Sequence, residues 1–246
     1  MKKGGLFGCC LGCLVVVLLL VGGTTVAAGY FGLIPSISKI LGTNKAKDLG
    51  IRYANIDVVK LNERLGSKLV LIKSDSSSGL GFLLEGQKFV DYNLTSEEIS
   101  ALAASPVKFF PFQEVQIKIG QDGTLEASGI LRADKIISFA QSLGFSSEDV
   151  QQAMNDYKIP VSSLPIYAKG TLSVTNNKVD LALNSLEVGR IGVPQSLVEK
   201  ITPTIVSATE AIIQTLPGVD ITSMTFDKGL MNYKGTIPTK QTIQTE

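Results

Sequence analysis

From Leu6 to Ile34 the chain carries no charged residue, and Leu14 to Val21 is an unbroken run of leucine and valine. A membrane-spanning helix needs about 20 apolar residues, so this stretch is long enough to cross a bilayer. Lys2 and Lys3 precede it. Basic residues stay on the cytoplasmic side, which predicts a cytoplasmic N-terminus and an extracytoplasmic remainder. A cleaved signal peptide is the rival reading, because Val26-Ala27-Ala28 before Gly29 offers small residues for cleavage. The apolar stretch runs on through Tyr30, Phe31, Leu33 and Ile34 to Pro35, longer than the roughly 7–15 residues of a signal core. The expectation is therefore a retained single-pass anchor in the cell membrane. Cys9, Cys10 and Cys13 lie before the Leu/Val run, whereas a lipoprotein signal places its cysteine after. They read as small apolar residues of the helix.

With 246 residues, the chain leaves about 200 beyond the anchor, enough for one domain. Residues 1–34 form the cytoplasmic start and anchor, 35–50 a juxtamembrane connector, and 51–246 the extracytoplasmic domain. There is no histidine and no cysteine outside the first thirteen residues. That excludes Ser-His and Cys-His nucleophiles and most zinc and haem sites. A net charge of +1 gives no electrostatic footprint for nucleic acid.

The domain alternates hairpins with helices. Ile56, Val59 and Leu65 predict a helix over 55–65, stopped by Gly66. Residues 67–73 read as a strand, 74–81 as a serine-rich loop and 88–94 as a strand. Thr95-Ser96-Glu97-Glu98 is a capping box opening a short helix that Ser105-Pro106 ends. Val115, Ile117 and Ile119 alternate into a turn at Gln121-Asp122-Gly123, and Leu125 to Leu131 alternates back. Asp134 and Ser146 each cap a following helix. A second hairpin runs from Ile166 to Val174, turns at Asn176-Asn177 and returns, with a bulge expected near Leu186. Leu197, Ile201, Ile205, Ala208, Ile212 and Leu216 form an apolar stripe on a helix over 195–216. Pro203 must kink that helix or restart it with Thr202 as cap, and Pro217-Gly218 ends it. A last hairpin turns at Asp227-Lys228-Gly229. The pattern predicts an α+β domain of antiparallel sheet packed on amphipathic helices.

Candidate chemistry is sparse. Gly79-Leu80-Gly81 with Gly86 lacks dinucleotide-loop spacing. Glu97 and Glu98 are explained by capping. Ser36-Ile37-Ser38-Lys39 has Ser-Lys nucleophile spacing, but a lysine just outside a membrane snorkels to head groups. Asn93-Leu94-Thr95 fits a glycosylation sequon and equally a strand end with its helix cap. No catalytic residue, metal or cofactor is assigned, and the domain reads as non-enzymatic. An antiparallel sheet around the long helix can leave an apolar groove, with the 197–216 stripe as its lipid-binding wall.

Leu216-Pro217-Gly218-Val219-Asp220-Ile221-Thr222-Ser223-Met224, the Asp227-Lys228-Gly229-Leu230 turn and Gly235 resemble bacterial exported or membrane-anchored proteins of the LmeA/YpmS type, relatives of the tubular lipid-binding (TULIP) fold. Leu186 to Pro194 and Leu94 to Glu98 are similar as well. The resemblance covers about half of the exported region and implies binding of phospholipid or another envelope lipid. It carries no catalytic residue. The alternative is an envelope scaffold with a closed core that binds a protein partner.

Overall fold

The computed structural model describes residues 44–73, 82–104, 110–142, 146–148, 151–152 and 163–245. The Leu6–Ile34 stretch, the Ser36–Lys39 motif, the serine-rich loop and most of the helix expected after Ser146 lie outside them. No helix among the described residues is long and apolar enough to cross a membrane.

The described chain is α+β, with mostly antiparallel sheet. Strands β3 (Lys88–Thr95), β10 (Leu230–Ile237), β9 (Asp220–Asp227), β6 (Leu164–Thr175), β5 (Leu125–Leu131) and β4 (Phe112–Ile119) neighbour one another in that order. Strand β7 (Lys178–Val188) pairs with β6, and the two-residue β8 (Ile191–Gly192) with β7. One side of β6 therefore carries β7. Its other side carries β5 at Leu164–Gly170 and β9 at Val174–Thr175. The tips of hairpins β4–β5 and β9–β10 meet beyond this fork, where the Gly229 N–H donates to the Gly120 carbonyl at 3.3 Å. Gly123 sits there at φ +81°, and a Cβ on it would lie 2.6 Å from the Phe226 carbonyl oxygen. Only glycine meets both demands.

Strand β4 would be an exposed edge, a template for unwanted pairing. Helix α2 (Ser96–Ala103) covers it. Thr95 caps α2, with Glu98 completing the capping box. Ser100, fully buried, accepts from the Ile117 N–H and donates to the Ile117 carbonyl. Ser96 accepts from the Ile119 N–H at 3.0 Å. Two serines thus do for β4 what another strand would.

The second hairpin turns at Asn176 and Asn177, both at positive φ. Its bulge falls where Lys169↔Ser185 gives way to Gly170↔Leu183. That places the extra residue at Asn184, two positions before the expected site.

Three further strands come from sequence with weak periodicity. Strand β2 (Phe82–Glu85) leads through two residues into β3, and β10 leads through Pro238 and Thr239 into β11 (Lys240–Thr245). The paired strands β3 and β10 thus continue into the paired strands β2 and β11. The chain turns a corner at Gly86 and Pro238, and Gly218 at φ +78° packs against both. Strand β1 (Lys68–Lys73) joins β11 in parallel, the one departure from antiparallel pairing among the described strands. Helix α1 (Val58–Arg64), capped by Asp57, precedes β1. It is shorter than the 55–65 expected, because Asp57 takes the Val59 and Lys60 N–H groups and fixes the start.

Helix α3 (Ile136–Ser142) follows a 3₁₀ turn at Ala133–Lys135. Helix α4 (Gln195–Thr215) runs unbroken past Pro203. Thr202 does not restart it as a cap; its hydroxyl donates to the Val198 carbonyl at 2.7 Å. Helix α4 packs on β7, where Glu210 accepts from Lys178 Nζ at 2.8 Å and from the Val179 N–H at 3.0 Å.

Residues 45–51, the end of the expected 35–50 connector and the first residue beyond it, cross the sheet as a strap. Gln116, Ser128, Tyr167 and Glu187 form one cross-strand row over β4, β5, β6 and β7. The Gln116 side-chain oxygen accepts from the Leu49 and Ile51 N–H groups. Lys47 Nζ lies 3.5 Å from the Tyr167 ring centroid and 3.6 Å from Glu187. Arg190 donates to the Lys45 carbonyl at 3.0 Å. Tyr167, on the face opposite Ile166 and Val174, is buried beneath this strap.

Candidate functional site

The corner at Gly86 and Pro238 has a structural consequence. It brings the small sheet beside the large one, and together they line an open pocket of about 530 Å³. Leu69, Phe82, Leu84 and Ile243 line it from the small sheet. Tyr92, Leu94, Met231, Tyr233 and Ile237 line it from β3 and β10. Val58 and Leu65 close one side, Leu102 another, and Leu216 and Val219 enter from the end of α4. Phe110 and Phe139 complete the wall, their rings edge to face at 5.7 Å. Two buried clusters among the described residues, around Leu61–Leu94 and around Val174–Ile213, are both packed by Tyr92, Met231 and Ile237. The cavity is therefore the junction of the two halves of the core.

Its polarity is low and already satisfied. Among the described residues, only Asn62 and Gln241 bring side-chain amides to the lining. Asn62 donates to the Val58 carbonyl at 2.9 Å and accepts from Gln241 at 3.1 Å. Gln241 also donates to the Ser67 hydroxyl at 2.9 Å. Tyr92 and Tyr233 stack at 5.9 Å, and the Tyr233 hydroxyl donates to the Thr236 carbonyl. Burial pushes both phenols up to about 12, the Arg64 cation partly opposing it at Tyr92. Arg64 itself pairs with Glu98 at 2.8 Å, tying α1 to α2. A wall of this kind has the apolar character of ligand pockets. The described lining residues bring no carboxylate, amine, guanidinium or thiol.

The stripe read from the sequence lies mostly elsewhere. Leu216 alone of its six residues lines the cavity. Leu197 is 46% exposed and Ile205 38%; Ala208 is exposed, and Ile201 and Ile212 are half-buried. The residues of α4 that are buried are Val198 and Ile213. At 3.6 residues per turn this face is about a quarter turn from the stripe. By helical spacing Thr202 and Thr209 share the face of Val198 and Ile213, and their hydroxyls bond back to the Val198 and Ile205 carbonyls, so they need no partner outside the helix. Glu210 fixes that rotation through β7.

The cavity residues on β2 and β11 were missed by sequence reasoning. Their signals were present but short: Phe82 and Leu84 alternate with Leu83 and Glu85, and Thr242, Ile243 and Thr245 are β-branched. Among the described residues there is no group of three or more carboxylate, thiol or imidazole side chains that could hold a metal. Comparison of the chain with protein-family models, with curated proteins and with solved structures finds no match.

Proposed function

We propose that the protein is a membrane-anchored, extracytoplasmic binding domain that holds the acyl chain of a phospholipid or another apolar envelope ligand in the cavity between its two sheets. The cavity carries this reading: about 530 Å³ falls within the roughly 300–1,000 Å³ of ligand pockets, and its lining is almost wholly hydrocarbon. Residues 6–34 supply the anchor, and the resemblance to LmeA/YpmS-type proteins and the TULIP fold points to the same ligand class. The role is binding rather than catalysis.

About twelve buried methylenes gain roughly 10 kcal/mol on transfer from water. Association costs of at least about 4 kcal/mol leave binding in the tens of micromolar. Titration of residues 44–246 with a fluorescent fatty acid and a fluorescent phospholipid should saturate in that range. Absence of saturable binding removes the lipid reading and leaves the closed-core scaffold, whose partner cross-linking would then identify. Intact-mass measurement of membrane-extracted protein should show the Leu6–Ile34 segment retained; a chain beginning at Gly29 overturns the anchor.

A further inference from the structure

We infer that the exposed apolar side of α4 and β8 rests on the lipid surface into which the chain's own anchor inserts. This rests on the anchor reading of residues 6–34. Leu197 and Ile205 are large, exposed and on one side of α4, and Ile191, 40% exposed, stands just before that helix. Ala208 continues the strip. Single exposed apolar residues are ordinary, but a run on one helix face marks a contact surface.

Where the strap begins identifies the occupant. The described chain starts at Asn44, and the carbonyl of the next residue, Lys45, is held by Arg190, the neighbour of Ile191. Counted back from there, residues 35–43 can span at most about 30 Å before the anchor. Lys47 and Gln116 hold the rest of the strap across four strands. The domain is thereby tied to the bilayer at the corner where β8 and the N-terminal half of α4 lie. Exposed Lys45 and Lys200 flank the apolar strip, as basic residues do where an apolar face enters the head-group region. Exposed Glu199 is the acidic neighbour on the helix. The other large exposed apolar residues among those described, Leu71, Ile72, Leu83, Phe89 and Phe112, lie on β1 to β4, and none of these strands holds Lys45.

The absence of tryptophan from the chain makes the test direct. Full-length L197W, I205W, L83W and L18W variants are reconstituted in phosphatidylcholine–phosphatidylglycerol vesicles, with lipids brominated at shallow or deep chain positions as quenchers. Emission from L197W and I205W should be blue-shifted and quenched several-fold more by shallow-brominated lipid than emission from L83W. Emission from L197W that is quenched by aqueous iodide and no more by brominated lipid than that of L83W overturns the inference. L18W reports the anchor separately. Deep quenching of L18W without quenching of L197W leaves the anchor standing and removes the lipid-facing helix. Quenching of L197W without L18W removes the anchor and leaves a domain bound peripherally through the same face.

Discussion

Burial raises the phenols of four tyrosines, Tyr53 among them. Tyr92, Tyr167 and Tyr233 are each pushed up to about 12, burial being the main cause in all three. At Tyr167 the hydrogen bond to Glu126, at 2.8 Å, adds to it. In the unfolded chain they titrate near 10. Between those values the unfolded state releases protons that the folded state keeps, so stability falls as pH rises from about 10 toward 12 and is unaffected by them below 10. Tyrosinate absorbance should accordingly show part of the six tyrosines ionising only as the domain unfolds. Parallel ionisation of all six near 10, with the fold intact, would remove this account of the buried phenols. Ser100 offers a second residue-scale test. Replacing it with alanine leaves the Ile117 N–H and carbonyl without their partner. An unsatisfied buried group costs about 1–3 kcal/mol, so Ser100→Ala should lower the unfolding free energy by about that much, read from a lower denaturation midpoint. No shift would mean that another group already serves the β4 edge. The capping role of Thr95 and Glu98 was readable from four letters, because a capping box is local. The role of Ser100 was not, because its partner lies seventeen residues away.

Helix α4 shows how far an element's own pattern reaches. Its limits followed from the apolar repeat and Pro217-Gly218. The face it turns to the sheet did not, since threonines that bond to their own helix sit on an apolar side while counting as polar. The two faces predict opposite results for one kind of substitution. Val198 is 1% exposed, so Val198→Asp buries an unpaired carboxylate, costing several kcal/mol against a total of roughly 5–15. The domain should fail to fold or melt far lower. Ile205→Asp, on the exposed strip, should shift stability by no more than about 0.5 kcal/mol. Thermal melting of the two variants decides between the faces, and the reverse order would return the stripe to the core. The hairpins around Asp122-Gly123, Asn176-Asn177 and Lys228-Gly229 were legible because turn and alternation agree. Strands β2 and β11 were not. Each is short, and each gains its stability as the continuation of β3 or β10 round the Gly86–Pro238 corner, a pairing between residues about 155 apart.

At the scale of the molecule, the sequence pointed to antiparallel sheet and to an apolar groove along the long helix. The pocket lies instead between the small sheet and β3–β10, and its position depends on how the small sheet sits beside the large one, which no single segment encodes. Two tryptophan substitutions separate the sites. Leu84→Trp adds an indole to the cavity wall. It should displace about three methylenes of a bound chain, ~2.4 kcal/mol of transfer energy, and weaken binding roughly fiftyfold. Ile212→Trp enlarges the stripe on α4, outside the cavity lining, and should leave affinity unchanged. Overpacking at Leu84 costs about 1–3 kcal/mol of stability, so melting is measured beside binding to show that the variant is folded. Titration of both with the same fluorescent fatty acid gives the outcome. Loss at Leu84 alone puts the chain between the two sheets. Loss at Ile212 alone puts it along α4, where the apolar repeat first pointed. In that case the junction at Tyr92, Met231 and Ile237 is a structural core with space to spare, and the exposed side of α4 contacts ligand rather than bilayer.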